Sequence, residues 1–305
     1  MVSDEDVREL LRRSWCLTDG MRVARHDGGM GSQTWIVNHG ERRWVAKSVA
    51  PHLADSFAHG LQVARMLDEA GIRSGAPAPA LCGSMTVDTA AGDRVALLNW
   101  VPGKPLTGAD EAEQRLIGNT LGRVHLVLRD HEVPGAQRFH WVDPAAAHLE
   151  LRSWLRPAVT AAVDALTALQ NREPAWPQGL LHADPAPEAF RLDVASGQCG
   201  IIDWSSAHCG PLLYDLASAV MYLGGPTGAT AMTDAYHATG LLTGREIAEG
   251  LPVMLRFRWA VQADYFAWRI AAHDLTGVTG PEENEKGLED ACRSLHGGLD
   301  ERPGS

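Results

Sequence analysis

The sequence predicts an α+β protein in two lobes, a small antiparallel β lobe followed by a larger, mainly helical lobe. Three observations predict it. Short strand-like runs separated by Gly and Asn turns fill residues 21–47. Helical periodicity takes over beyond residue 110. Between the two lies Val101-Pro102-Gly103-Lys104-Pro105, a run poor for either a helix or a central strand, which marks a boundary. The division is drawn as residues 1–99 and residues 100–305.

The elements follow in order. Ser3 before Asp4-Glu5-Asp6 predicts a capped helix with an acidic first turn. Residues 21–25, 34–37 and 43–47 form three strands of an antiparallel meander, with glycines in its first turn and Asn38-His39-Gly40-Glu41 as its second. Residues 52–70 form an amphipathic helix with Phe57, Leu61, Ala64 and Leu67 at helical spacing, ended by Gly71. Gly75-Ala76-Pro77-Ala78-Pro79 is a stiff connector, and strands follow near 81–86 and 94–100. In the second lobe, helices are expected at 111–129, 144–170, 212–223, 228–239 and 252–273. A hairpin at 190–202 turns at Ser196-Gly197. A short helix near 284–296 ends the chain. On the 252–273 helix, Val261, Tyr265 and Trp268 share a face read as core packing.

Composition narrows the function classes. The chain has 305 residues, 45% hydrophobic content and 21% charged content, enough for a buried core and unlike a disordered chain. A net charge of −11 speaks against a general basic surface for nucleic acid. The five cysteines are odd in number with no CxxC pair, so a disulfide framework or zinc site is not expected and a cytoplasmic setting fits. The opening MVSDEDVREL has no signal-peptide core, and no apolar run reaches membrane-spanning length.

Three features carry chemistry. Gly28-Gly29-Met30-Gly31-Ser32 joins two strands, whereas a Rossmann or P-loop glycine turn opens a helix. A glycine hairpin can lie over nucleotide phosphates and donate backbone N–H groups; a plain tight turn would have the same sequence. Lys47 ends the third strand, one strand past that turn, where an ammonium can reach α- and β-phosphates. The loop His182-Ala183-Asp184 offers a carboxylate that can orient an attacking hydroxyl and take its proton, with His182 shaping the loop. Further on, Gly200-Ile201-Ile202-Asp203-Trp204 sets an Asp at the end of an apolar strand, where it can hold Mg²⁺ or cap the next element.

Together, GGMGSQTWIV, WVAK, LLNWVPGKPL, LGRVH, LLHADPAPEAF, GIIDWSSA and GPLLYDLASA resemble the aminoglycoside phosphotransferase and choline kinase-like family of the protein-kinase-like fold, over about residues 20–275. The resemblance implies a nucleotide, ATP or GTP, bound between the lobes. It implies Asp184 as the catalytic carboxylate and Asp203 as the metal ligand. It places Asn99, Trp100 and Val101 at the adenine pocket and Asp215 as a brace of the catalytic loop.

Two positions depart from the family pattern. Ala189 stands where the family keeps a metal-binding Asn, and the adjacent Glu188 is the substitute candidate. Gly60 or Leu61 stands where the helix Glu partner of the strand Lys would be, leaving Lys47 to pair with Asp203 or with nothing. Arg258, Gln262 and Arg269 are read as a cleft-lining face for the acceptor. Three functions follow from this reading. One is phosphoryl transfer to a hydroxyl of a small molecule, an antibiotic, sugar or amino alcohol. Another is phosphorylation of Ser or Thr in a peptide of a natural-product pathway. The third is an inactive nucleotide-binding scaffold serving a partner protein.

Overall fold

The structure is a computed structural model. It describes residues 2–18, 20–26, 31–133, 135, 139, 142–171 and 175–297. The chain forms two compact units. The first comprises Met1–Lys104, Val133–Ala136 and Arg191–Ala207, and the second Pro105–Glu132, Gln137–Phe190 and His208–Ser305.

The first unit opens with α1 (Asp4–Trp15), started by the expected capping box between Ser3 and Asp6. Strands β1 (Arg22–His26), β2 (Gln33–His39) and β3 (Arg42–Val49) form the antiparallel meander. Gly28 and Gly29, in its first turn, lie outside the described residues. Helix α2 (Ala54–Glu69) follows, then β4 (Pro77–Ala78), β5 (Val87–Asp88) and β6 (Arg94–Asn99). The sheet runs β1-β2-β3-β6-β4, with β5 also paired to β6. The strand expected near 81–86 is a turn instead. Gly83 has φ +83°, Leu81 is exposed, and the pairing residues fall on either side in β4 and β5.

Alternation along β3 sorts its side chains. Ala46 faces α1 in a core with Val7, Leu11, Trp35 and Leu97. Val49 joins Phe57 and Leu61 of α2 in a second core. Lys47, two residues from Val49, shares the α2 face.

The chain enters the second unit through β7 (Lys104–Pro105), α3 (Glu111–Leu128), α4 (Leu155–Gln170) and β8 (Gln178–Leu181). The helix expected from 144 starts only at Leu155, after a 3₁₀ turn at Ala147–Glu150. Pro157 explains this: a proline fits the first helical turn and resists extension before it. The hairpin of β9 (Phe190–Asp193) and β10 (Gln198–Ile201) follows. A single division at 99/100 would put this hairpin in the later lobe. Residues 191–207 group with the first unit instead, where Arg73 binds Asp193 at 2.8 Å and accepts from the Ile201 amide at 2.9 Å.

The rest is β11 (His208–Pro211), α5 (Leu212–Tyr222), α6 (Gly225–Gly228), α7 (Thr230–His237), α8 (Gly244–Ala271) and α9 (Pro281–His296). Antiparallel β8 and β11 pair Leu181 with His208. Helix α8 starts eight residues before the expected 252, at a Thr243–Glu246 capping box, and carries Pro252 within it. A proline near an expected helix start mimics a first-turn position. Its buried residues include Leu255, Phe257, Ala260, Ala263 and Ala267, while Tyr265 and Trp268 are exposed. The core role read for those two aromatics is thus corrected: both are exposed, and the buried side of the helix is carried by other residues.

Helix α2 packs directly on the backbone that follows β10. A Cβ at Gly60 would overlap the Trp204 carbonyl oxygen. Helix propensity alone favours Gly60→Ala by about 1 kcal/mol. Backbone cannot swing aside as a side chain can, so overpacking dominates. Gly60→Ala should therefore destabilise the protein by about 1–3 kcal/mol in denaturant titration. A gain in stability would show that α2 can lift from Trp204 at no cost.

Candidate functional site

Within the first unit, the Lys47 Nζ lies 2.5 Å from Asp203 Oδ1. The ammonium's side chain is only 11% exposed, while that of Asp203 is 49% exposed. The geometry follows from Gly60. No side chain fits at that position, so the helix cannot present a glutamate there, and its seat on Trp204 brings Asp203 to the α2 face of β3. Asp203 therefore serves as the Lys47 partner. It adopts φ +73°, uncommon for a non-glycine residue, and also accepts from Ser205 Oγ at 2.8 Å.

The expected base-pocket residues belong to the same unit. The Asn99 N–H is committed to Ala76 O at 2.9 Å. The Arg43 guanidinium sits 3.7 Å over the Trp100 ring, a cation–π contact. Val101 is buried. Gly31 and Ser32 precede β2, and Gly31 is exposed.

Within the second unit, β8 delivers the chain into His182-Ala183-Asp184. Asp215 of α5 is fully buried and accepts from both the His182 and Ala183 amides at 2.7 Å. These bonds fix Ala183 at φ +71°. The His125 Nε2 lies 3.0 Å from Asp215, and the His125 Nδ1 lies 2.7 Å from the Tyr236 hydroxyl. An ionised carboxylate only accepts, so Nε2 carries the proton toward it. Burial raises the Asp215 pKa, but the His125 bond and charge and the loop amide outweigh it and leave the group below its ordinary value. His182 is buried and accepts the Asp184 amide on Nδ1 at 3.3 Å, which matches a loop-shaping role.

The Asp184 carboxylate, half-exposed, meets two side chains of the same unit through Oδ1. Arg258 Nη2 donates to it at 3.0 Å, and the Tyr222 hydroxyl donates to it as well. Arg258 also donates to Tyr222 Oη and Ser218 Oγ, each at 3.1 Å. Of the three residues read as an acceptor face, only Arg258 reaches Asp184. Gln262 Nε2 donates to Gly287 O at 3.2 Å, on α9. Arg269 is 1% exposed and spends its nitrogens on Asn284, Tyr265 and the Asp274 and Thr276 carbonyls. The three do share a helix stripe, but it is roughly 16 Å long at 1.5 Å per residue, so its ends meet different neighbours. Arg269 is a structural staple and not an acceptor ligand.

His125, Ser218 and Tyr222 were passed over as site residues in the sequence. A signal for two of them was present. Within the apolar run LLYDLASAVMY, Asp215, Ser218 and Tyr222 recur at i, i+3 and i+7, one stripe of a helix.

Ala189 is buried and has no ligand atom, whereas Glu188 is exposed on the 3₁₀ turn Pro187–Ala189. Among the described residues no three His, Cys, Asp or Glu gather as a ready ligand cluster. A Mg²⁺ site takes one or two protein carboxylates plus substrate phosphates rather than a protein cage. Asp203, half-exposed at a strand end, fits as such a carboxylate. No described helix is long and apolar enough to cross a membrane.

Comparison with known proteins adds the following. The model of the phosphotransferase enzyme family matches residues 22–251. No curated protein matches by sequence. Among solved structures, an amicoumacin kinase, hAmiN, in complex with AMP-PNP, Ca²⁺ and Ami aligns with a TM-score of 0.77 at 13% identity, covering 96% of this chain and 93% of that one. A microcompartment-associated aminopropanol kinase aligns at 0.68 and 19% identity, covering 96% and 98%. The choline kinase LicA from Streptococcus pneumoniae aligns at 0.67 and 14% identity, covering 96% and 98%. At these identities the likeness is one of fold, the two-lobed α+β kinase-like fold.

Asp215 makes stability depend on pH. Its folded pKa lies below the ordinary carboxylate value of 3.8, so its stabilisation is present above pH 3.8 and is lost as pH falls through the lower folded value. Thermal midpoints measured from pH 5 to pH 2 should fall in that window. Asp215→Ala should flatten this part of the profile and cost about 1.5–3 kcal/mol per lost charged hydrogen bond at neutral pH. An unaltered profile in the variant would assign the acid dependence elsewhere.

Proposed function

This chain belongs to the phosphotransferase enzyme family, and on that premise we propose that it transfers the terminal phosphoryl group of ATP or GTP to a hydroxyl of a small molecule. The observation that carries this reading is the loop clamped by Asp215, which holds Asp184 with its side chain 50% exposed. A carboxylate fixed in backbone yet open to solvent is what an acceptor hydroxyl requires.

In this reading Lys47 holds nucleotide phosphates as a positive point charge. Asp203 supplies the carboxylate for Mg²⁺, and Glu188 is proposed as a second. The metal would neutralise charge on the phosphates. Asp184 accepts a hydrogen bond from the acceptor hydroxyl and aims its oxygen at the γ-phosphorus. As the new P–O bond forms, the bond from phosphorus to the β–γ bridging oxygen breaks, the nucleoside diphosphate leaves, and the hydroxyl proton passes to Asp184. Phosphoryl transfer needs positioning and charge more than covalent help, so a lysine and two carboxylates cover its main demands. Their joint retention supports catalysis over an inactive scaffold. The similar solved structures include an amicoumacin kinase, an aminopropanol kinase and a choline kinase. That supports a small acceptor, with amino alcohols, sugars and antibiotics as the first classes to screen.

Asp184→Asn should lower turnover by about 10²- to 10⁴-fold, the usual worth of a positioned acid–base group. AMP-PNP affinity by calorimetry should change little. Undiminished turnover in this variant would remove Asp184 from the chemistry. Glu188→Ala should shift the Mg²⁺ dependence of AMP-PNP binding to higher concentration. An unchanged Mg²⁺ titration would make Glu188 a bystander.

A further inference from the structure

We propose that Tyr222 and Arg258 are positioning residues for Asp184: they bind Oδ1 so that Oδ2 is the oxygen presented to the acceptor hydroxyl. The proposal rests on the role of Asp184 given above and deepens it.

The asymmetry of the carboxylate leads to it. Oδ1 accepts two donors, the Tyr222 hydroxyl and Arg258 Nη2, the latter at 3.0 Å. Oδ2 has no hydrogen-bond partner among the described residues, and the side chain is half open. A short carboxylate on a loop would otherwise rotate about χ2 and offer either oxygen. Two donors on one oxygen end that freedom. Charge-assisted bonds of this kind are strong enough to hold a rotamer.

The donors are themselves fixed. Arg258 is 7% exposed, and its Nε is tied to Ser218 Oγ, a hydroxyl of a fully buried residue, at 3.1 Å. Burial works against its charge, but Tyr222, Tyr214 and Asp184 outweigh that, and Arg258 stays a cation. Tyr222 is exposed along its ring, while its hydroxyl end is enclosed. That enclosure pushes the phenol well above its ordinary range, despite Arg258, so it remains a donor at any working pH. Asp215, Ser218 and Tyr222 lie on one stripe of α5. The first grips the loop backbone, the second holds Arg258, and the third binds the carboxylate. One helix face thus sets both the position of the loop and the turn of its functional side chain.

The test compares wild type with Asp184→Asn, Tyr222→Phe, Arg258→Met and Arg258→Lys. Each is assayed for Mg²⁺-dependent ATP hydrolysis with water as the acceptor, for AMP-PNP affinity and for thermal midpoint. Tyr222→Phe removes one hydroxyl from a side chain whose ring is exposed, so it remains informative if an Arg258 variant fails to fold. Expected is a kcat lower by about 10- to 100-fold in Tyr222→Phe and Arg258→Met. AMP-PNP affinity should stay unchanged, and Arg258→Lys should recover part of the loss. Full turnover in Tyr222→Phe and Arg258→Met beside an inactive Asp184→Asn would overturn the positioning role and leave Asp184 in place. Full turnover in Asp184→Asn would overturn the underlying reading itself. A crystal structure of Tyr222→Phe gives a readout free of turnover. A rotated Asp184 carboxylate supports the proposal, and an unmoved one overturns it.

Discussion

The buried carboxylate of Asp215 is the constraint on which the second unit's site depends. It is fully enclosed, and a lone anion there would be costly. Two backbone amides and the His125 ring supply its bonds, so the charge is satisfied only when the loop at 182–184 is in its native course. That dependence runs both ways. The loop takes up a left-handed residue, Ala183, because the carboxylate pulls two consecutive amides toward one point. The strain sits one residue before Asp184, and it fixes where that side chain leaves the backbone.

Much of this was legible in the sequence, and the reasons differ by element. The meander was readable because alternation and turn residues agree. The Lys47, Asp184 and Asp203 positions stood out because each ends an apolar run with a charged residue. The α5 stripe was harder to see. Its polar residues are spread through a run so apolar that the helix reads as uniformly buried, and only their i, i+3, i+7 spacing betrays a shared face. The contact between Gly60 and Trp204 had no local signal at all. A missing helix glutamate looked like a loss, whereas the backbone of residue 204 already fills that space. The start of α8 was obscured by Pro252, whose preference for first turns outweighed the weaker Thr243–Glu246 signature.

Two charged pairs, one in each unit, follow one physical pattern. Lys47 is buried and Asp203 half-exposed; Arg258 is buried and Asp184 half-exposed. A buried cation without an anion is strongly unfavourable, so each cation holds its carboxylate at the edge of an apolar interior. The cation needs only one oxygen for this. Each carboxylate remains about half exposed beside its cation, at 49% for Asp203 and 50% for Asp184. A carboxylate buried to the same depth as its cation would be well fixed but closed, and a fully solvated one would be open but unfixed. Half-exposure against a buried cation avoids both, and it recurs at the two aspartates to which the proposed function assigns chemistry. By the same reasoning a longer glutamate at either position would move the carboxylate off its cation: the extra methylene would add reach and rotamer freedom where the pair depends on having little of either.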